Sequence, residues 1–386
     1  MVDESALIGG FASLLPVGAA TELGPGDDSA VVGFPDGRVT VSTDMIVEGV
    51  HFRREWSSAR DVGWRLAAQT LADAAAMGAW PTALVVALGG PGGVLTSEWT
   101  REFAAGLAAL CGRWGTGVVG GDQTAAAVVV ACGTVMGDLR GLSAVTRAGA
   151  QAGDVLALAT GPGVAERLGG PTAPDTDQTP GVVGTAGMAS VPGLARRLGL
   201  GGSAAGLAWL EAAGGPTARG SSGSVPAGLA EAAVRAYLTP DPPLGQGVAA
   251  ARAGARALID VSDGLMIDAG RIAGASGVRL RLDATCGPLA EAAGRLAPLA
   301  GALGLDVWGW VLGGGEDHAL LAAFPPGAAL PGGWEVIGAV EPAGPGGPGS
   351  LNVVVDGLPA GSAAADSGGW DPFAAASTGW DHFAAA

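Results

Sequence analysis

Short Val-rich runs bounded by glycine or proline alternate with helical stretches, and this alternation occurs twice along the chain. No other feature constrains the fold as much. Short β runs interleaved with helices are stable only when a sheet buries one face against a helical layer. In the first half the strand-like runs are residues 29–32, 38–43, 83–88, 117–119 and 127–136, with helices expected at about 60–77 and 97–114. In the second half strands are expected at 154–159, 257–261, 335–340 and 351–355, with helices at 204–212, 227–237 and 265–275. The fold class is therefore α+β, in two α/β-type domains at 1–145 and 146–360, with a tail at 361–386. Residues 161–202 are dense in Gly, Pro, Thr and Ala and read as a flexible insertion. The tail repeats a short segment, Gly369 to Ala376 and again Gly379 to Ala386.

Charge narrows the function. The chain carries 36 acidic residues against 20 basic ones, for a net charge of −16, and every basic residue is Arg. The absence of Lys excludes a P-loop lysine, a Schiff-base lysine and a kinase-type strand lysine. The acidic balance argues against a nucleic-acid or anionic-membrane partner, both of which need a basic footprint. Cys111, Cys132 and Cys286 form no CxxC pair, and with only His51, His318 and His382 they support neither a zinc site nor a disulfide framework. No stretch of ~20 apolar residues suggests a membrane span. Asp3 and Glu4 stand where a leader would be basic, so a cytoplasmic location is expected.

The acids occupy unusual places. Asp27 and Asp28 follow Gly26, Asp44 follows the run 39–43, Asp122 follows Gly120 and Gly121, and Asp260 and Asp263 flank Val261 and Ser262. Asp73 is the one charged residue between Leu66 and Trp80. A carboxylate in an apolar run is costly without compensation. Convergence on a hard cation compensates it, and oxygen-only ligands suit Mg²⁺ or Ca²⁺. Taken singly, Asp27, Asp122 and Asp260 fit N-caps or Asx turns better, and Asp73 fits a solvated helix face equally well.

Other clusters leave two readings open. Gly313, Gly314 and Gly315 before Glu316 and Asp317 suit a backbone approach to a ligand or positive φ, or a plain turn. Gly120 and Gly121 suit a phosphate cradle or a tight turn. Arg147, at the domain junction, suits a phosphate or an interdomain ion pair. His51, alone in Val50-His51-Phe52, reads as a polar turn residue.

In order, these segments resemble the thiamine-monophosphate kinase family, within the aminoimidazole-ribonucleotide synthetase-like ATP-binding superfamily. The resemblance is carried by Gly26-Asp27-Asp28-Ser29, Ser42-Thr43-Asp44 through His51-Phe52, Leu71-Ala72-Asp73, Gly120-Gly121-Asp122-Gln123-Thr124 and Thr146-Arg147-Ala148-Gly149. It continues through Ser203-Ala204-Ala205-Gly206, Ile259-Asp260-Val261-Ser262-Asp263-Gly264, Gly314-Gly315-Glu316-Asp317 and Trp380-Asp381-His382-Phe383. The resemblance implies a homodimer paired through the N-terminal sheet domains. It implies ATP as co-substrate, thiamine monophosphate as acceptor, several Mg²⁺ ions, and direct in-line transfer without a covalent nucleophile. By the same resemblance the Mg²⁺ shell is Asp28, Ser42, Thr43, Asp44, Asp73, Asp122, Asp260 and Asp263. The ATP contacts are Gly121, Asp122, Arg147 and Ser262, and the substrate contacts are His51, Glu316 and Trp380. The chain departs from the family pattern at Thr70 and Ala72, and in having no Arg over 239–244. The alternatives are another ATP-dependent synthetase of the superfamily and a non-catalytic nucleotide-binding homologue.

Overall fold

The structure is a computed structural model, and it describes residues 14–23, 30–160, 198, 200–215, 225, 226, 228–343 and 352–359. The described residues divide into two compact units, one from residues up to 75 and 79–141, the other from 76–78 and from 142 onward.

The first unit contains β1 (Thr21–Leu23), β2 (Val31–Val32), β3 (Thr40–Val47), α1 (Ala59–Ala76), β4 (Trp80–Gly90), α2 (Ser97–Trp114), β5 (Gly117–Ala125) and β6 (Val130–Asp138). The strands β3-β6-β4-β5 form one sheet in that order. β6 pairs antiparallel with both β3 and β4, whereas β5 lies parallel to β4 after the α2 crossover. Helix α2 spans the expected residues because its ends are marked chemically. The Thr96 side chain accepts from the Trp99 N–H at 3.2 Å, and Gly115 ends the helix in the left-handed region. Its buried residues Phe103, Leu107, Leu110 and Trp114 recur at helical spacing and form one apolar stripe.

The second unit contains β7 (Val155–Ala159), α3 (Gly202–Ala213), α4 (Leu229–Leu238), α5 (Leu244–Arg252), β8 (Ala257–Val261) and α6 (Leu265–Ser276). It continues through β9 (Val278–Asp283), α7 (Gly287–Leu303), α8 (Val307–Gly313), β10 (Ala319–Phe324), β11 (Glu335–Pro342) and β12 (Val353–Asp356). The sheet order is β12-β9-β11-β7-β10-β8, antiparallel except for the outer β12–β9 pair. Every residue of β8 and β10 is buried, so neither shows the alternation of a half-exposed strand. The core joins Ile259 and Leu321 of the sheet to Leu265, Leu296 and Val311 of the helices.

Several sequence expectations change here. β3 runs on to Val47, so Asp44 lies inside a strand rather than after one. Gly120, Gly121 and Asp122 lie inside β5 and form no turn. The expected insertion at 161–202 falls largely outside the described residues, but Leu198 and Leu200 at its end are buried in the core and Gly202 already opens α3. Among the described residues no helix is long and apolar enough to cross a membrane.

Candidate active site

In the first unit, strand alternation sorts the candidates. The Ser42 and Asp44 side chains lie on the α1 side of β3. Ser42 Oγ donates to Asp73 Oδ2, and Gln69 Nε2, one helical turn before Asp73, donates to Asp44 Oδ1 at 3.2 Å. The pair Ser42–Asp44 is thus joined to α1 through Gln69 and Asp73. Thr43 points to the other face, where its hydroxyl meets the Gly133 carbonyl at 3.1 Å and the Thr134 hydroxyl at 3.0 Å. That face also exposes Val41 and Met45. Thr70, on α1, is fully buried, and its hydroxyl has no hydrogen-bond partner among the described residues. A Cβ at Gly133 would come within 2.7 Å of it.

Asp44, Gly133, Val86 and Gly121 form one cross-strand row. Asp122 occupies the next row, with Ala87, Cys132 and Met45, and is exposed. The register therefore sets Asp122 apart from the Ser42–Asp44–Asp73 cluster. Gly121 serves the pairing itself, since a Cβ there would sit 2.1 Å from the Val86 carbonyl oxygen.

His51 closes a short turn at the end of β3. Its backbone N–H donates to the Val47 carbonyl at 2.9 Å, and its Nδ1 accepts from the Val47 N–H at 3.1 Å. An acceptor Nδ1 carries no proton, so the neutral ring presents N–H at Nε2. The turn is held by buried Phe52 and by Glu48, which accepts from the Val129 N–H at 3.0 Å and pairs with Arg54.

In the second unit the candidate acids surround the turn from β8 into α6. Asp260 is buried within β8, 3.2 Å from Nδ1 of buried His318. Asp268, in the first turn of α6, accepts from the Ser262 and Asp263 N–H groups, both at 3.0 Å. Arg271 pairs with both Asp263 and Asp268. Burial pushes the Asp268 carboxyl up to about 7, helped by the neighbouring Asp260 charge and opposed by Arg271. Sequence reasoning did not place Asp268 or His318 in the site. The visible signals were an acid five residues after Asp263 and a His directly after Glu316-Asp317.

The glycine-rich loop behaves differently from expectation. Gly313, Gly314 and Gly315 do not take positive φ; Glu316 (67°) and His318 (51°) do. Gly315 is required by packing instead, since a Cβ there would lie 2.3 Å from the Ser262 carbonyl oxygen. Glu316 and His318 donate their N–H groups to the carbonyls of Ser262 and Val261, at 2.8 and 3.1 Å, which locks this loop onto the acid turn. Asp317 turns away from that surface to cap α3, accepting from the Gly201 N–H at 2.6 Å and the Ser203 N–H at 2.9 Å. Burial pushes its carboxyl up to about 7 against those two donors.

Asp28 and Trp380 lie outside the described residues. Among the described residues no three His, Cys, Asp or Glu side chains converge to hold a metal by themselves. The donor set still fits Mg²⁺, because its candidate ligands are all carboxylate or hydroxyl oxygens. Mg²⁺ takes one or two carboxylates and fills its remaining positions with water and phosphate.

Residues 26–139 match the family model of the AIR synthase related protein, N-terminal domain. Thiamine-monophosphate kinase from Mycobacterium tuberculosis is 41% identical over 342 residues, covering 88% of this chain and 83% of the relative. The enzyme of that name from Corynebacterium glutamicum is 33% identical over 318 residues, covering 82% and 80%. A crystal structure of thiamine-monophosphate kinase from Stenotrophomonas maltophilia superposes with a TM-score of 0.64 at 27% identity, covering 88% of this chain and 92% of that one. With identity sustained across both compact units, the chain belongs to the thiamine-monophosphate kinase family.

Proposed function

We propose that this chain transfers the γ-phosphoryl group of ATP directly to thiamine monophosphate, giving thiamine diphosphate. Membership of the kinase family carries this reading, and the oxygen-rich cluster at Ser42, Asp44 and Asp73 is consistent with it. Bound Mg²⁺ supplies charge neutralisation for the phosphates, which phosphoryl transfer needs more than covalent help. Asp28, Ser42, Thr43, Asp44, Asp73 and Asp122, and in the second unit Asp260 and Asp263, are the residues assigned to the several ions, with Thr43 and Asp122 apart from the Ser42–Asp44–Asp73 cluster. Ser42 and Gln69 fix the carboxylates of Asp73 and Asp44, so these oxygens need little rearrangement to bind a cation. Gly121, Asp122, Arg147 and Ser262 are assigned to ATP, with the Arg147 guanidinium binding phosphate bidentately. His51, Glu316 and Trp380 are assigned to the acceptor, Trp380 by stacking on the cationic thiazolium.

The same reading makes the protein a cytoplasmic homodimer paired through the first unit, and the exposed Val41 and Met45 on the open sheet face support that pairing. The test is direct. Protein, ATP, Mg²⁺ and thiamine monophosphate are incubated and thiamine diphosphate is detected, with Asp44→Asn as control. Product that vanishes in the control supports the reading. No product from the unmodified chain, with Mg²⁺-dependent ATP binding intact, overturns it.

A further inference from the structure

One hydroxyl fixes the loop that carries Arg147. Ser276, the last residue of α6, accepts from the N–H groups of Gly149 and Ala150, both at 3.2 Å, and donates to the Arg147 carbonyl at 3.0 Å. A hydroxyl offers one donor and two acceptor positions, so Ser276 spends its whole capacity on this loop. Other ties act on the same backbone. Thr146 Oγ1 donates to the Ala148 carbonyl at 2.9 Å, and the Leu258 N–H donates to the Thr146 carbonyl at 3.0 Å, which fastens the loop to β8. Gly149, at φ 128°, passes so close to Arg256 that a Cβ would lie 2.4 Å from its carbonyl oxygen. The backbone is thereby anchored, while the Arg147 side chain stays exposed.

The opposite end of α6 acts on the other segment read as an ATP contact in this unit. Asp268, in its first turn, holds the N–H groups of Ser262 and Asp263. A helix of 12 residues is about 18 Å long and stiff, so both segments are referred to one rigid element.

We propose that Ser276 is a positioning residue for nucleotide binding: it holds the Arg147 backbone so that the guanidinium meets the ATP phosphates without an ordering cost at the moment of binding. The proposal depends on the assignment of Arg147 to ATP. A preorganised group binds more tightly because less conformational freedom is lost on contact.

The experiment compares full-length Ser276→Ala, Ser276→Cys, Ser276→Thr, Arg147→Met and the Ser276→Ala/Arg147→Met double variant. Mg²⁺-ATP binding is measured by calorimetry, which needs no turnover, and KM for ATP, kcat and melting temperature are measured alongside. Ser276→Ala is expected to weaken ATP binding and raise its KM about fivefold to tenfold, the loss of roughly one net hydrogen bond, with kcat within about twofold. Ser276→Cys, which keeps the volume with a weak donor, gives the same result if the alanine variant fails to fold. Ser276→Thr retains affinity. The double variant binds ATP no more weakly than Arg147→Met, because contacts acting through one another are not additive. If Arg147→Met weakens ATP binding but Ser276→Ala and Ser276→Cys only lower the melting temperature, the inference fails and the Arg147 assignment stands. If Arg147→Met leaves ATP binding unchanged, the assignment falls and takes the inference with it. Additive losses in the double variant also overturn the inference.

Discussion

Ser42, in strand β3, donates its hydroxyl hydrogen to the carboxylate of Asp73, in helix α1, across 31 residues of sequence. This bond defines where the helix acid points. Asp44→Asn and Asp73→Asn are expected to lower kcat by about two orders of magnitude or more, the scale seen when one charge-stabilising group is lost. Ser42→Ala is expected to cost about tenfold, since it removes a neutral oxygen and the bond that orients Asp73 but no charge. Steady-state assays at saturating Mg²⁺ read both effects. Equal losses for Ser42→Ala and Asp73→Asn would contradict that division of labour.

Gly120 and Gly121 are adjacent and differ sharply. A Cβ at Gly120 meets nothing within 4 Å, whereas one at Gly121 meets the Val86 carbonyl oxygen at 2.1 Å. Gly121→Ala is therefore expected to destabilise the first unit by about 1–3 kcal/mol through overpacking of the β4–β5 pair. Gly120→Ala is expected to fall within about 0.5 kcal/mol of the unmodified protein. Urea unfolding distinguishes them, and similar midpoints for the two would refute the close approach.

Asp317 sets a pH dependence. Its carboxyl is pushed from 3.8 to about 7 in the folded chain. A carboxyl with a raised folded pKa binds its proton more tightly when folded. Its contribution to stability is therefore full below about pH 4 and falls as pH rises to about 7. Asp317→Asn removes this titration. The unfolding free energy of the variant relative to the unmodified chain is expected to rise across that window, and a difference independent of pH would show that the Asp317 carboxyl titrates alike in the folded and unfolded chain.

His51 accepts at Nδ1 and presents N–H at Nε2. Gln places an amide N–H near the Nε2 position and Asn near Nδ1. His51→Gln is expected to keep KM for thiamine monophosphate within about threefold, while His51→Asn raises it about tenfold. The reverse order would assign the donor to Nδ1 and break the Val47 contact.

Much of the fold was legible because local chemistry marked it. Helix α2 carries a Thr96 cap, an apolar stripe and a left-handed Gly115, and β8 is a bounded apolar run. Other elements escaped for physical reasons. In β9, Val278, Leu280 and Leu282 point inward between two arginines and an aspartate, but the strand begins directly after α6 with Gly277 as its whole connection. β10, a six-residue apolar run, cannot be told from a buried helical segment by periodicity. α7 contains Pro298, which reads as a breaker. At the site, the acids were visible as misplaced charges in apolar runs. What they touch was not. His318 reaches Asp260 across 58 residues, and Asp317, adjacent to Glu316 in sequence, serves a helix end instead of the acid turn.

The order β12-β9-β11-β7-β10-β8 has a consequence for synthesis on the ribosome. Strands β3 to β6 are all made by Asp138, so the first sheet can close while translation continues. β7 emerges next, yet both of its neighbours, β10 and β11, lie beyond Ala319. The nascent chain must therefore carry an apolar strand with two open edges from Ala159 until synthesis reaches Ala319. Because closure entropy grows only logarithmically with the length of the intervening chain, that delay taxes kinetics and exposure to aggregation far more than final stability.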